Sequence, residues 1–257
     1  MSFFSSSKVW IAAFSLCSVV GYSHASEEGS AAKSTLSGNI GLVSKYVYRG
    51  SVENNDLALQ GGLDYSHQSG LMLGYWGSTL DYDPSDDNRH SGFENDFYIG
   101  YGRELGENWS VSSQLYAYFY HRGGSVYSDD GHRRITTGTE LVNTVNYKDL
   151  SVGVAVALSD VNYANAGDVY MSVGYSYGLP YDFALNTLVG ANVYNSSRDD
   201  ALMETSESLT LNEIRFGVSK SFTDVGINLS LDYIWGGKDR INENLDDNLV
   251  FAVNYSF

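Results

Sequence analysis

The sequence predicts an all-β fold: a transmembrane antiparallel up-and-down β-barrel of about twelve strands, with short periplasmic turns and longer extracellular loops. Three observations lead there. Apolar and polar residues alternate with period two in stretch after stretch, as in strands with two unlike faces. The connections between these stretches alternate long and short without exception. The composition, with 21 Tyr and 27 Gly but only 2 Pro in 257 residues, suits many strands and few interruptions.

Residues 1–25 read as a secretory signal peptide. Lys8 precedes an apolar run, Val9 to Val20, and Ser23-His24-Ala25 supplies small residues for cleavage before Ser26. Cys17 is the single cysteine and lies in that run, so the processed chain is expected to have no thiol or disulfide. Residues 26–34 form a small polar lead-in, and 35–257 the barrel.

Taken in order, the first strand is predicted over Leu36 to Arg49. It places Leu36, Ile40, Leu42, Tyr46 and Tyr48 on one face and Asn39, Lys45 and Arg49 on the other. The second, Leu57 to Ser66, sets Leu59, Leu63 and Tyr65 against Gln60 and Asp64. The third, Leu71 to Leu80, has ambiguous faces because Trp76 opposes Leu73 and Tyr75. Strands four and five, Phe93 to Arg103 and Trp109 to His121, follow an acidic loop. Strands six and seven are Thr136 to Tyr147 and Leu150 to Ser159; in the latter Val152, Val154 and Val156 alternate with Gly153, Ala155 and Ala157. Strands eight to eleven are Asp168 to Gly178, Phe183 to Asn195, Leu209 to Phe222 and Val225 to Trp235. The last, Asn248 to Phe257, puts Leu249, Phe251, Val253, Tyr255 and Phe257 on one face, and its Tyr255 and Phe257 read as a membrane-assembly signal.

A soluble lipocalin-like barrel would turn its apolar faces inward, and periodicity alone does not give the direction. The signal peptide, the loop alternation, the terminal strand and the even strand count favour the membrane version. Tyr46, Tyr48, Tyr65, Tyr233, Trp235, Tyr255 and Phe257 then fall near strand ends, where aromatic girdles sit. The predicted location is the outer membrane of a Gram-negative bacterium. The expected partners are outer-membrane lipids, the barrel-assembly machinery and small solutes. A net charge of −16 argues against nucleic acid.

The stretch Ser37-Gly-Asn-Ile-Gly-Leu-Val-Ser-Lys-Tyr-Val-Tyr-Arg-Gly50 resembles the opening of the TorF-type porin family of proteobacteria. Gln60 to His67, Ser69 to Trp76 and Asp96 to Tyr101 continue the resemblance, which is specific over roughly the first third of the processed chain. It implies an outer-membrane β-barrel. Lys45 departs from the family, which tends to have an acidic residue there.

The polar faces would line a lumen. Their charged residues are Lys45, Arg49, Asp64, Glu94, Asp96, Glu140, Glu213, Arg215 and Asp232. With six acids against three bases, the expected function is a porin-like channel for passive diffusion of small solutes, with a cation preference carried by unpaired Glu94, Asp96 and Glu140. The alternative is a closed structural or surface-interaction barrel, its lumen filled by Tyr98, Tyr116, Tyr118 and Tyr120. A membrane esterase is a third class, but no catalytic residue is predicted. No metal site or cofactor is predicted either: the acidic loop Asp81, Asp83, Asp86 and Asp87 lacks the glycine and terminal glutamate of an EF-hand loop. The Asp129–His132 stretch and His90, His121 and His132 show no ligand spacing. On these faces, a charge at Val154 should be harmful and one at Ala155 less so.

Overall fold

The computed structural model describes residues 34–83, 86, 88–120, 125–127, 133–195 and 201–257, with only the backbone at 125–127 and Arg134. The predicted signal peptide and nearly all of the lead-in lie outside the described residues. So do Asp87, His121, Asp129, Asp130 and His132.

The described residues form sixteen strands. They are β1 (Ser34–Val43), β2 (Tyr46–Tyr48), β3 (Ser51–Asn54), β4 (Ala58–His67), β5 (Leu71–Leu80), β6 (Gly92–Leu105), β7 (Trp109–Tyr120) and β8 (Ser125–Tyr127). Then come β9 (Arg133–Ile135), β10 (Gly138–Tyr147), β11 (Leu150–Ala157), β12 (Val169–Leu179), β13 (Phe183–Val193), β14 (Leu209–Phe222), β15 (Ile227–Gly236) and β16 (Asn248–Ser256). Twelve of them close a barrel in the order β1-β16-β15-β14-β13-β12-β11-β10-β7-β6-β5-β4, each antiparallel to its neighbours. The pairs β2–β3 and β8–β9 form two separate two-stranded sheets that are not part of the wall.

Which way the faces point follows from burial. Leu59, Leu63, Phe97, Ile99, Leu115, Val173, Leu185, Phe216, Leu231 and Phe251 are exposed on the outside. Their neighbours one residue away, such as Asp96, Tyr98, Gln114, Tyr116, Asn186, Ser230 and Asp232, are buried on the inside. An apolar belt outside a polar interior suits lipid, and a closed barrel leaves no sheet edge unsatisfied there. This is a transmembrane barrel of the bacterial outer-membrane type, with short turns at one rim and the longer loops at the other. Trp109 stacks near Tyr147, with ring centroids 4.6 Å apart, beside the short-turn rim, as a girdle pair would.

The strand limits match the periodicity closely except at the first strand. β1 ends at Val43, not at Arg49. Ser44 and Lys45 bend the chain, and the Ser44 N–H donates to the Phe251 carbonyl at 2.8 Å. The next residues turn into the barrel as the β2–β3 hairpin. Tyr46 and Tyr48 therefore do not belong to the outer girdle: Tyr46 is 1% exposed inside the barrel. On the apolar face only Ser44 interrupts the run between Leu42 and Tyr46, too little for periodicity to reveal the bend. The ambiguity at Trp76 resolves inward, where its ring meets the edge of Tyr46 at 5.6 Å.

Candidate functional site

The lumen is organised by the β2–β3 hairpin. Its tip is Arg49-Gly50, and both residues have positive φ, +50° and +85°. A two-residue hairpin loop of type I′ needs that combination, which explains a glycine at the second position. The hairpin's apolar side, Tyr46 and Val47, packs with Val43, Ala58, Leu80, Ile234, Val250 and Ala252 into a small core against the β1, β4, β5, β15 and β16 wall. Polar anchors add to it. Asn54 donates to the Thr79 carbonyl at 2.8 Å, Lys45 Nζ to Asn248 at 2.8 Å, and the Tyr82 hydroxyl to Glu53 at 2.9 Å.

From this wall Arg49 reaches across to β10, five strands from β1 by the shorter way round. Its two terminal nitrogens donate to the two carboxylate oxygens of Glu140, each at 2.7 Å. This is the planar bidentate pairing for which a guanidinium is suited. Glu140 also accepts from the Tyr118 hydroxyl at 2.8 Å. The Arg49 guanidinium lies 4.5 Å from the Tyr170 ring centre and 4.6 Å from that of Tyr48. Tyr170 donates to Glu213 at 2.8 Å, and Arg215 pairs with Glu213 at 2.9 Å. A belt of charges and tyrosines thus runs from β10 through the hairpin tip to β14.

The remaining predicted lumen residues separate into paired and unpaired. Asp64 accepts from the Tyr98 hydroxyl. Asp232 is buried on β15 within the field of Arg215. Glu94 accepts from the Tyr120 hydroxyl at 3.3 Å. Asp96 is 0% exposed, and among the described residues neither of its carboxylate oxygens has a hydrogen-bond partner. Glu140, expected among the unpaired acids, is instead the partner of Arg49; the pairing arises because the hairpin carries that arginine inward, which no strand pattern shows. The hairpin itself escaped sequence reading, although Val47-Tyr-Arg-Gly-Ser-Val52 does place x-Gly between alternating apolar residues.

Above the belt, towards the long loops, opens a vestibule of about 500 Å³. Tyr48, Tyr82, Tyr118, Tyr120, Tyr163 and Tyr194 line it, with Arg49 and Arg240 and several acids. Arg240 is held against Asp168 and lies 4.8 Å from the Tyr194 ring centre. On the hairpin, burial pushes the Glu53 carboxyl above its ordinary range; the Tyr82 hydrogen bond opposes this, and Asp81 adds to it. Below the belt, Tyr98 and Tyr116 stack at 4.8 Å, and Tyr116 and Tyr118 at 5.9 Å. Tyr98 lies directly over Gly74 of β5, where any side chain would collide with its ring. Nearer the short-turn rim the inner face of β12 to β15 is neutral and polar. There Ser176 donates to Asn186 at 2.8 Å, Asn186 to Ser219 at 3.1 Å, and Asn228 to Ser221 at 3.0 Å.

Gly174-Tyr-Ser-Tyr-Gly178 spells the Gly-x-Ser-x-Gly pattern of serine hydrolases. Ser176 nevertheless lies within β12 and not at a strand-to-helix turn, and its hydroxyl is engaged with Asn186. In the acidic loop, Asp81 accepts from the Asn55 N–H, and Arg89 lies 3.6 Å from Asp86. Among the described residues, no three His, Cys, Asp or Glu side chains converge as metal ligands would.

Residues 27–257 match the model of a family described as a bacterial protein of unknown function (Gcw_chp), and the chain belongs to that family. No curated protein matches it. Solved structures resemble it in fold. One, from work on the in-meso crystallization of membrane proteins, is 10% identical with a TM-score of 0.51, covering 86% of this chain and 83% of that one. The KdgM porin is 8% identical with a TM-score of 0.49, over 86% of this chain and 98% of that one. OpdL of Pseudomonas aeruginosa is 16% identical with a TM-score of 0.43, over 86% and 67%.

Proposed function

We propose that this member of the Gcw_chp family is a porin-like channel for passive diffusion of small solutes, narrowed by its inward hairpin and preferring cations. The observation that carries the reading is the charge balance of the interior. Arg49 is committed to Glu140, and Arg215 to Glu213, while Glu94 and Asp96 remain with no cation against them among the described residues. When ionised, these acids between low-dielectric walls attract cations into the path. The vestibule and the neutral polar face below the belt supply the two ends of that path. The resemblance of Ser37 to Gly50 to TorF-type porins supports the outer-membrane barrel on which this reading stands.

Planar-bilayer recording of the purified barrel tests it. Discrete current steps are expected, with a reversal potential in a KCl gradient displaced towards that of potassium. Replacing Glu94 by Gln and Asp96 by Asn together should reduce the displacement at low salt and change it little at high salt, where screening shortens the reach of the field. A wild-type channel selective for anions would overturn the preference.

A closed barrel is the second reading, favoured by the stacked Tyr98, Tyr116 and Tyr118 beneath the hairpin. Repeated insertions without current would select it.

A further inference from the structure

Asp96 presents an unusual arrangement. A fully buried carboxylate with no partner is costly, because desolvation disfavours its charge and nothing repays it. Asp96 is 0% exposed, and both oxygens lack a donor among the described residues. It stands two residues from Glu94 on the same inner face of β6, itself only 3% exposed and part of the vestibule wall. Glu53, on the hairpin and also in that wall, is close enough for its charge to act on Glu94. Of the guanidinium groups that line the vestibule, Arg49 is taken up by Glu140 and Arg240 by Asp168.

The surroundings of these acids are aromatic. On β7, Tyr118 is paired across from Asp96 and Tyr120 across from Glu94, and Trp76 of β5 flanks Asp96 on the other side. Ring faces attract cations, more strongly when water is excluded. Among the described residues the carboxylates do not gather as metal ligands would, so a metal ion is poorly matched. A cavity of about 500 Å³ is instead of the size that holds small organic ligands.

We propose that the vestibule floor is a binding site for small organic cations bearing a primary ammonium or guanidinium group, held by Glu53 and Glu94 among the rings of Tyr82, Tyr118 and Tyr120, with Asp96, two residues from Glu94, adding its charge from behind the wall. Glu94 Oε2 is buried without a hydrogen-bond partner among the described residues; the N–H donors of such a group supply one, and its alkyl portion lies along the tyrosines. The inference rests on the channel reading and names its solute class, so binding and current are measured separately.

The test is calorimetric titration of the full-length purified barrel in detergent with putrescine, and with uncharged 1,4-butanediol for comparison. Putrescine is expected to bind and butanediol not. The Glu94→Gln, Asp96→Asn pair should weaken putrescine roughly tenfold or more, as loss of charged hydrogen bonds does. Heat-modifiable migration on gels checks that this variant is folded. Glu53→Gln, outside the barrel strands, should weaken binding as well and provides a second measure if the pair does not assemble. Equal binding of putrescine and butanediol, no putrescine binding by the wild type, or unchanged binding in both folded variants would overturn the site. Putrescine binding to a barrel that carries no current upholds the site and rejects the channel. Current that putrescine neither blocks nor binds against upholds the channel and rejects the site.

Discussion

Arg49 and Glu140, 91 residues apart in sequence, meet across the barrel through two hydrogen bonds of 2.7 Å. One belongs to a hairpin tip and the other to the opposite wall, so this pair sets how far the hairpin closes the lumen. Arg49→Ala should release the tip and leave Glu140 with the Tyr118 hydroxyl alone. Removing one member of a buried pair costs about 3–5 kcal/mol, and the 21% exposure of the arginine side chain calls for a lower figure, about 1–3 kcal/mol. Larger single-channel current steps and a lower unfolding temperature are expected. Steps of wild-type size from a barrel with reduced stability would show that the tip does not obstruct the path.

The other end of the hairpin is held by Tyr46. Its ring is 1% exposed and meets Trp76 edge-on at 5.6 Å. Tyr46→Ala removes an aromatic from a packed cluster, a change that costs about 3–5 kcal/mol in globular cores. Here the loss is expected to appear as undocking of the hairpin, leaving the barrel intact. Limited proteolysis of folded barrels should cut the variant near residues 44–57 and spare the wild type. Val52→Ala, at a more exposed hairpin position, is the control and should change little.

These two residues also mark where the sequence stops being legible. Period-two alternation determines the wall strands because each has one face to lipid and one to the interior, and the ends of β14 fall where the pattern puts them. Alternation is equally satisfied when a strand leaves the wall and folds inward as a hairpin, so Tyr46 and Tyr48 carry the same signature as Ile40 and Leu42. Pairing is similarly hidden. The pattern puts Glu140 on the inner face, but only the path of the hairpin brings Arg49 to it. The isolation of Asp96 depends on which donors surround it in space, and no local spacing reports that.

Val154 and Ala155 test the two faces of β11. Val154 points outward, and Lys there should cost about 2–4 kcal/mol near mid-membrane. The pattern alone predicts that Ala155 tolerates a charge better. The structure corrects this: Ala155 is 3% exposed and packed with Tyr98, Tyr116, Tyr118, Val142 and Tyr170. Ala155→Lys is therefore expected to impair folding as well, whereas Ala155→Ser should be mild. Refolding yield into vesicles measures all three. A well-folded Ala155→Lys barrel would mean that the tyrosine cluster has room to spare.

The docked hairpin should respond to pH through Glu53. Burial raises its carboxyl above the ordinary range, and Asp81 raises it further against the Tyr82 hydrogen bond. An acid whose folded value is raised binds its proton more readily in the docked state, so docking is stronger at low pH and weakens as pH rises through that raised value. Protection of the hairpin from protease should therefore fall on going from mildly acidic to neutral solution. Glu53→Gln should flatten the dependence. An opposite slope in the wild type, or the same slope in the variant, would assign the response to another group.

Closure of the barrel rests on Gly38 and Phe257. The Gly38 N–H donates to the Phe257 carbonyl at 2.9 Å, and the Phe257 N–H to the Gly38 carbonyl at 3.0 Å. They extend the β1–β16 ladder, which has five residue pairs where β1–β4 has ten. With so short a ladder at the seam, each bond is a large share of its strength, and in lipid no water replaces a lost one. The Phe257 ring is stacked on Tyr255 at 5.9 Å and lies against Gly38, where a side-chain carbon would come within 2.6 Å of it. Deleting Phe257 removes both bonds and the ring cover together, while Gly38→Val displaces the ring and keeps the main chain. The deletion is expected to lower the temperature at which the barrel loses its heat-modifiable gel migration by more than Gly38→Val does. Gly38→Val should still fall below the wild type. If the deletion migrated and melted as the wild type does, the seam would have to be held by the five remaining pairs alone.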